Sequence, residues 1–331
     1  MSDQEELGSV ADASLVRDLL QATIDYHAFP GAQLRAVDEL PIGSGMSGAE
    51  VRRYAVAFET EGGGIDRITL VTKLARPVER RVLALLNDQD HRAVPFAYSL
   101  ASEGEGAALI CLQDVGDVRR PVSLDPIPPE IVRREASGLA AIHAANVGRG
   151  DALSWLPVAG VTYVHDMIEE RFFRPAWERS IADPAFVQAF GSIIAPVETA
   201  AAAIVSEMAA LDADGPRSLV HTDVNPSNVL ISGNIPFFID WDAAHYGSVY
   251  LDLPHHLPEL DQAERYRLFL ARHGVEIPPD TFAQRFRVAA RYTGLRYIWW
   301  ALDAWREDHG IAPWVRHYLR MILGDDLPIG I

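Results

Sequence analysis

The chain has 331 residues, 49% of them hydrophobic and 23% charged, which fits a globular protein of one large or two modest domains. Its formal net charge of −17 excludes the basic surface a nucleic-acid partner requires, and suits either plain solubility or a cationic ligand. The single cysteine, Cys111, excludes an internal disulfide framework and a zinc site of several thiolates, and fits a reducing cytosol.

The acidic start, Met1-Ser2-Asp3-Gln4-Glu5-Glu6, lacks the charged-then-apolar order of a signal peptide. Residues 13–24 have helical spacing, with Leu15, Leu19, Leu20 and Ile24 on one side. Strands are expected over 32–42, 50–61 and 68–74, the last two joined by a Gly62-Gly63-Gly64 hairpin. A helix is expected over 78–86, then strands over 96–100 and 107–115; Cys111 lies in the last of these as a small buried hydrophobe. Pro121, Pro126, Pro128 and Pro129 mark a loop, after which helical spacing dominates. It runs over 130–145, 187–211 with a break near Pro196, 263–272 up to Gly274, and 282–306. Three short apolar strands, 218–221, 228–231 and 236–239, interrupt the helices. The apolar run 200–205 is too short for a bilayer span and reads as a core helix, so the expectation is a soluble cytoplasmic protein without a membrane partner. A β-rich first third and a helical remainder predict two domains, 1–116 and 117–331.

The densest chemistry lies in His221-Thr222-Asp223-Val224-Asn225-Pro226-Ser227-Asn228, followed by Ile239-Asp240-Trp241-Asp242. Two apolar strands flank a polar loop, and a further strand ends in a carboxylate. Phosphoryl transfer uses such a set: a carboxylate to hold an acceptor hydroxyl, and an amide with a carboxylate to hold Mg²⁺ on phosphates. Upstream, Gly43-Ser44-Gly45-Met46-Ser47-Gly48 stands between two expected strands, where backbone N–H groups can approach phosphate oxygens; a plain hairpin turn has the same composition. Lys73 on the apolar strand Leu70-Val71-Thr72-Lys73-Leu74 needs a partner if buried, and Glu79 shares a helix face with Leu83 and Leu86.

His-x-Asp-x₄-Asn followed by Ile-Asp-Trp-Asp resembles the catalytic and metal-binding loops of the aminoglycoside phosphotransferase and choline kinase-like family, relatives of the protein kinases. The resemblance extends from about Gly43 to Pro254. It implies an α+β, protein-kinase-like two-lobed fold and an ATP- and Mg²⁺-dependent small-molecule kinase. By the same resemblance Asp223 is the catalytic base, and Asn228 and Asp240 are Mg²⁺ ligands. His221 and Asp252 support the loop, and Lys73 with Glu79 anchors the α- and β-phosphates. The strand Leu109-Ile110-Cys111-Leu112-Gln113-Asp114 is similar to the hinge, with Leu112 and Asp114 offering backbone groups to adenine; relatives often carry an acidic residue where Gln113 stands. Leu139-Ala140-Ala141-Ile142-His143 resembles a helical signature with a structural histidine. Thr222 departs from the glycine common in antibiotic kinases, which weakens the case for antibiotic resistance in particular.

The acceptor is a small molecule bearing a hydroxyl, and Asp242 and Glu259 are candidate acceptor-binding residues, with Asp261, Glu169, Glu170 and Asp303 as further acidic ones. An acidic pocket suits an aminoglycoside or amino sugar; a choline-, ethanolamine- or homoserine-like metabolite is the alternative. The aromatic segment 282–305 has the spacing of a core stripe, with Phe282, Phe286, Ala289, Thr293, Tyr297, Trp300 and Ala304 aligned. Two other readings compete. One is a catalytically inactive nucleotide-binding module. The other is a metal-dependent phosphohydrolase built on His165-Asp166 with His221, His245, His255 and His256.

Overall fold

Alternation of apolar residues builds the N-terminal sheet. In β2 (Val51–Glu59), Tyr54, Val56 and Phe58 turn one face inward, and their partners across β3 (Ile65–Ala75) are Leu70, Ile68 and Asp66. The structure is a computed structural model and describes residues 13–25, 29–42, 51–99, 106–122, 124 and 126–324. The chain divides into two compact units. The first comprises Met1–Arg119 with Leu230–Gly233 and Phe237–Asp242; the second comprises Arg120–Val229, Asn234–Pro236 and Ala243–Ile331.

The first unit holds a five-stranded antiparallel sheet, which also contains β1 (Gln33–Leu40), β4 (Ala97–Ser99) and β5 (Ala108–Gln113), in the order β1-β2-β3-β5-β4. Gly63, with φ +75°, makes the turn between β2 and β3, closed by the bond from Gly63 N to Thr60 O. Helix α1 (Ala13–Thr23) places Val16 and Leu20 in a core with Tyr54, Val56, Phe58, Leu70 and Cys111. Burial pushes the Cys111 thiol up to about 11, as expected of a packed cysteine. Helix α2 (Pro77–Asp88) starts on Pro77, whose missing N–H costs nothing in a first turn, and buries Glu79, Val82, Leu83 and Leu86. The alternation puts Leu70 and Thr72 on one face of β3 and Lys73 on the other.

The second unit is mainly helical, with α3 (Pro129–Asn146) packed on α8 (Leu260–Arg272). The longest helix, α9 (Pro279–Glu307), is packed by α5 (Phe173–Ile181), α7 (Ile194–Asp214) and α10 (Ala312–Leu323). A two-stranded ladder joins β6 (Arg217–Val220) to β9 (His245–Ser248), while the hairpin of β7 (Val229–Ser232) and β8 (Ile235–Phe238) belongs mostly to the first unit. Helix α4 (Val161–His165) runs through a π turn, Asp166–Arg171, toward α5; these segments, β9 and α10 have no counterpart in the sequence reading.

The break expected near Pro196 falls earlier. Helix α6 (Pro184–Phe190) ends at a 3-10 turn over Gly191–Ile193, and Pro196 sits in the first turn of α7, where its missing N–H has no intrahelical partner to lose. The run Pro184–Asp214, which contains an 18-residue window of mean hydropathy 1.5, is long and apolar enough to cross a membrane by length and composition, unlike residues 200–205 alone. Its burial is one-sided: Ile193, Val197, Ala201, Ile204, Met208 and Leu211 face inward, while Ala195, Thr199, Ala202 and Ser206 are exposed. That period is the one a helix on a protein core shows.

Candidate active site

Within the first unit Lys73 meets two carboxylates. Its Nζ lies 2.8 Å from Glu79 Oε1 and 2.7 Å from Asp240 Oδ1. Asp240 reaches this unit because the segment after β8 belongs to it, and the residue turns there with φ +66°. Burial opposes the ammonium, but the charges of Glu79 and Asp240 outweigh it and hold the Lys73 pKa above its ordinary value. Glu79 is pushed up, by burial first and then by the negative charges of Asp240 and Asp242, against the pull of Lys73. Two carboxylates share a single ammonium, so the cluster retains negative charge. Asp242 Oδ2 in turn lies 3.3 Å from Arg76 Nη1.

On β5, Leu112 pairs with Val71 of β3 and Ala97 of β4. The Gln113 N–H donates to Phe96 O at 2.8 Å, and the Gln113 side chain accepts from Phe96 N at 3.2 Å. Asp114 stands 3.2 Å from Arg53 Nε and accepts from Gly116 N at 2.9 Å, so its side chain fixes the strand end. The Gly43–Gly48 loop lies outside the described residues.

The second unit carries the polar loop between β6 and β7. Buried Asp252 is its foundation. Oδ2 accepts from His221 N at 2.7 Å, Oδ1 from Thr222 N at 2.7 Å, and His143 Nε2 stands 3.1 Å from Oδ2. Burial would raise the Asp252 carboxyl, but the His143 hydrogen bond and charge, together with His221, hold it below the usual carboxylate range. His143 is fixed from its other side by Tyr266 Oη at 2.7 Å. The His221 side chain is fully buried. Thr222 has φ +61°, an uncommon conformation for a β-branched residue, and each of its polar groups is engaged. Besides the N–H bond to Asp252, its Oγ1 donates to Ala243 O at 2.6 Å and its carbonyl accepts from Arg296.

Beyond this turn the Asp223 carboxylate, 36% exposed, is held at both oxygens. The Tyr297 hydroxyl donates to Oδ1 at 2.8 Å, and Asn228 Nδ2 lies 3.3 Å from Oδ2 and 3.0 Å from the Asp223 carbonyl. Asn228 is kept in place by a 3-10 turn, Pro226–Asn228, whose N-cap Asn225 accepts from Ser227 N at 2.9 Å.

Tyr297 and Arg296 are the residues that sequence reasoning missed. The stripe containing Tyr297 is core only over Phe282, Phe286, Ala289 and Thr293; Tyr297 and Trp300 are half-buried, and Tyr297 turns its hydroxyl to Asp223. The available signal was Arg296, a cation in the otherwise apolar run Gly294-Leu295-Arg296-Tyr297-Ile298, which requires a polar partner once buried. The acidic acceptor candidates are placed differently. Glu259 is exposed just before α8, Glu169 pairs with Arg174 at 2.9 Å, and Asp303 pairs with Arg179 at 2.8 Å. His165 is exposed on α4, and Asp166 pairs with Arg171 at 2.6 Å. Among the described residues no group of three or more His, Cys, Asp or Glu side chains is placed to hold a metal.

A β-rich unit with a lysine–glutamate pair on strand and helix, followed by a helical unit with a His-x-Asp-x₄-Asn loop, defines an α+β protein-kinase-like fold. Residues 41–307 match the phosphotransferase enzyme family, and the chain belongs to that family. It is a small-molecule kinase. A search of curated proteins finds no match. Among solved structures, the chain is similar to a choline kinase from Cryptosporidium parvum Iowa II at TM-score 0.56 and 12% identity, covering 94% of this chain and 95% of that one. It is also similar to an ethanolamine kinase of Plasmodium vivax, at TM-score 0.52, 10% identity and coverage of 92% and 87%. A spectinomycin phosphotransferase in complex with ADP and spectinomycin matches at TM-score 0.50 and 14% identity, covering 92% of this chain and 93% of that one.

Proposed function

We propose that this kinase moves the γ-phosphoryl group of ATP to a hydroxyl of a small molecule, with Asp223 as the base that holds and deprotonates that hydroxyl. The observation that carries the reading is the build of the Asp223 loop. Buried Asp252 fixes its backbone, and two donors orient a carboxylate that is still open to a ligand. Lys73, held by Glu79, binds the α- and β-phosphates. The Gly43–Gly48 loop covers the phosphates, and backbone groups of Leu112 and Asp114 take the adenine. Asp240 and Asn228 are the Mg²⁺ ligands. A carboxylate and an amide oxygen are hard donors of the kind Mg²⁺ takes, and the excess negative charge around Lys73 favours a cation at Asp240. Bound there, Mg²⁺ would neutralise phosphate charge. Residues 1–116 and 117–331 then act as nucleotide-binding and acceptor-binding parts, in a cytoplasmic enzyme.

For the acceptor, the charge of −17 supports an amine-bearing compound such as an aminoglycoside or amino sugar, with choline, ethanolamine or a homoserine-like metabolite as the alternative. Asp242 and Glu259 remain the candidate contacts. The test is a mass-spectrometric screen with MgATP against pooled aminoglycosides, spectinomycin, amino sugars, choline, ethanolamine and homoserine. A product gaining one phosphoryl group is expected from wild type and none from Asp223→Ala, which keeps its ATP affinity. Asp240→Ala is expected to weaken Mg²⁺-dependent nucleotide binding as well. Full activity in either variant overturns the assignment, and ATP binding without Mg²⁺-dependent turnover of any hydroxyl compound favours the inactive module.

A further inference from the structure

The Asp223 carboxylate sits at the surface of its loop, more than a third exposed, and a carboxylate so placed rotates freely unless something holds it. Asn228 fixes one oxygen from within the loop, at a long 3.3 Å. The other is fixed by a residue about seventy positions away, the Tyr297 hydroxyl at 2.8 Å. Tyr297 cannot readily swing aside. Its ring lies on His255 with centroids 4.2 Å apart, and the Arg296 guanidinium stands 5.1 Å from the Tyr297 ring centroid. Arg296 ties the same helix to the same turn, because it donates to the Thr222 carbonyl and approaches Asp223 Oδ1 to 4.0 Å.

We infer that Tyr297 is a positioning residue for the kinase reaction: from helix α9 it sets the rotamer of Asp223, so that one lone pair of Oδ1 meets the acceptor hydroxyl while the other accepts from the phenol. The inference rests on Asp223 being the base. A carboxylate oxygen has two acceptor sites, so the tyrosine and an acceptor hydroxyl can bind together. Arg296 supports the arrangement as the nearby positive charge. The further titratable groups around the pair are Tyr163 of α4, whose ring centroid is 5.8 Å from the Arg296 guanidinium, together with Tyr292, His245 and His255. Burial raises the Tyr297 phenol well above its ordinary value, so it remains a donor throughout the neutral range.

The experiment compares wild type, Tyr297→Phe and Asp223→Asn in single-turnover hydrolysis of γ-labelled ATP with Mg²⁺. Water serves as the hydroxyl acceptor, so none has to be known. Tyr297→Phe should lower the rate about tenfold or more, the effect of one hydrogen bond to a charged group, while half-saturation by ATP stays within about twofold. A tyrosine that only packs would leave the rate constant unchanged, and a Tyr297→Phe rate within about twofold of wild type overturns the inference. Asp223→Asn separates the two levels of argument, because wild-type hydrolysis in that variant removes the base assignment itself, whatever Tyr297 does. Amide hydrogen exchange over residues 219–229 is read on the same proteins and decides if hydrolysis by wild type is too slow to follow. Faster exchange at 222–224 in Tyr297→Phe, with α3 unchanged, is expected; identical exchange overturns the inference.

Discussion

Thr222 has φ +61°, where a β-branched side chain is strained by roughly 1–2 kcal/mol. The turn is forced on it because His221 and Thr222 must both present their N–H groups to the two oxygens of Asp252. Glycine would relieve the strain, but it would lose the hydrogen bond to Ala243 O, about 1 kcal/mol, and add roughly 0.5–1 kcal/mol of unfolded-state entropy. These effects cancel to within their size. Thr222→Gly should therefore change unfolding stability by less than about 1 kcal/mol, whereas Thr222→Val keeps the strain, loses the bond and should cost about 2 kcal/mol. Urea titrations of both variants check this, and equal losses would show that the hydroxyl, not the backbone, decides the position. The Oγ1 bond to Ala243 O offsets the strain of threonine in this turn, and the Asp223 loop keeps its shape.

The element that organises the second unit is α9, and it packs closely on α10 at Gly294. A Cβ there would lie 2.7 Å from Ile322 Cγ1, 2.9 Å from the Tyr318 carbonyl and 3.0 Å from Met321 Cβ, all on α10. Alanine gains about 1 kcal/mol of helix propensity, but overpacking against a backbone atom costs about 1–3 kcal/mol. Gly294→Ala is expected to lower stability by about 1 kcal/mol and to loosen α10. A melting temperature at or above wild type would contradict the packing. This crowding also explains what the sequence concealed. Periodicity assumes one wet face, and residues 292–296 are buried all round, so the stripe that holds for Phe282 to Thr293 misplaces Tyr297. Lys73 was legible as a cation on the otherwise apolar strand β3, and Glu79 from the face it shares with Leu83 and Leu86 on α2. The contact between Tyr297 and Asp223 joins residues far apart in the chain, and no local pattern encodes it. Helix α10 did carry a signal, with Val315, Tyr318, Leu319, Ile322 and Leu323 at helical spacing.

Among the described residues, four histidines have folded pKa values depressed by burial: His245, His255, His256 and His317. Neighbouring charge adds to this at His255, which faces His256, His317, Arg120 and Arg296. Because the folded value lies below the unfolded one near 6.5, stability from these groups is complete above that pH and is lost as pH falls below it. Glu79 and Asp212, whose carboxyls burial pushes up, act in the opposite sense, but they are two groups against four. Asp252, held below the usual carboxylate range, adds to the loss only at still lower pH. Protonation also reduces the self-repulsion implied by the charge of −17, a further opposing effect that about 0.15 M salt screens beyond roughly 8 Å. Each histidine that protonates only on unfolding contributes a slope of up to about 1.4 kcal/mol per pH unit. In 0.15 M salt the melting temperature should therefore be level above about pH 7 and fall steadily from about pH 6.5 to 5.5. A level or rising melting temperature across that interval would show that these histidines are not held neutral in the folded chain, and His255→Asn should flatten the slope if they are.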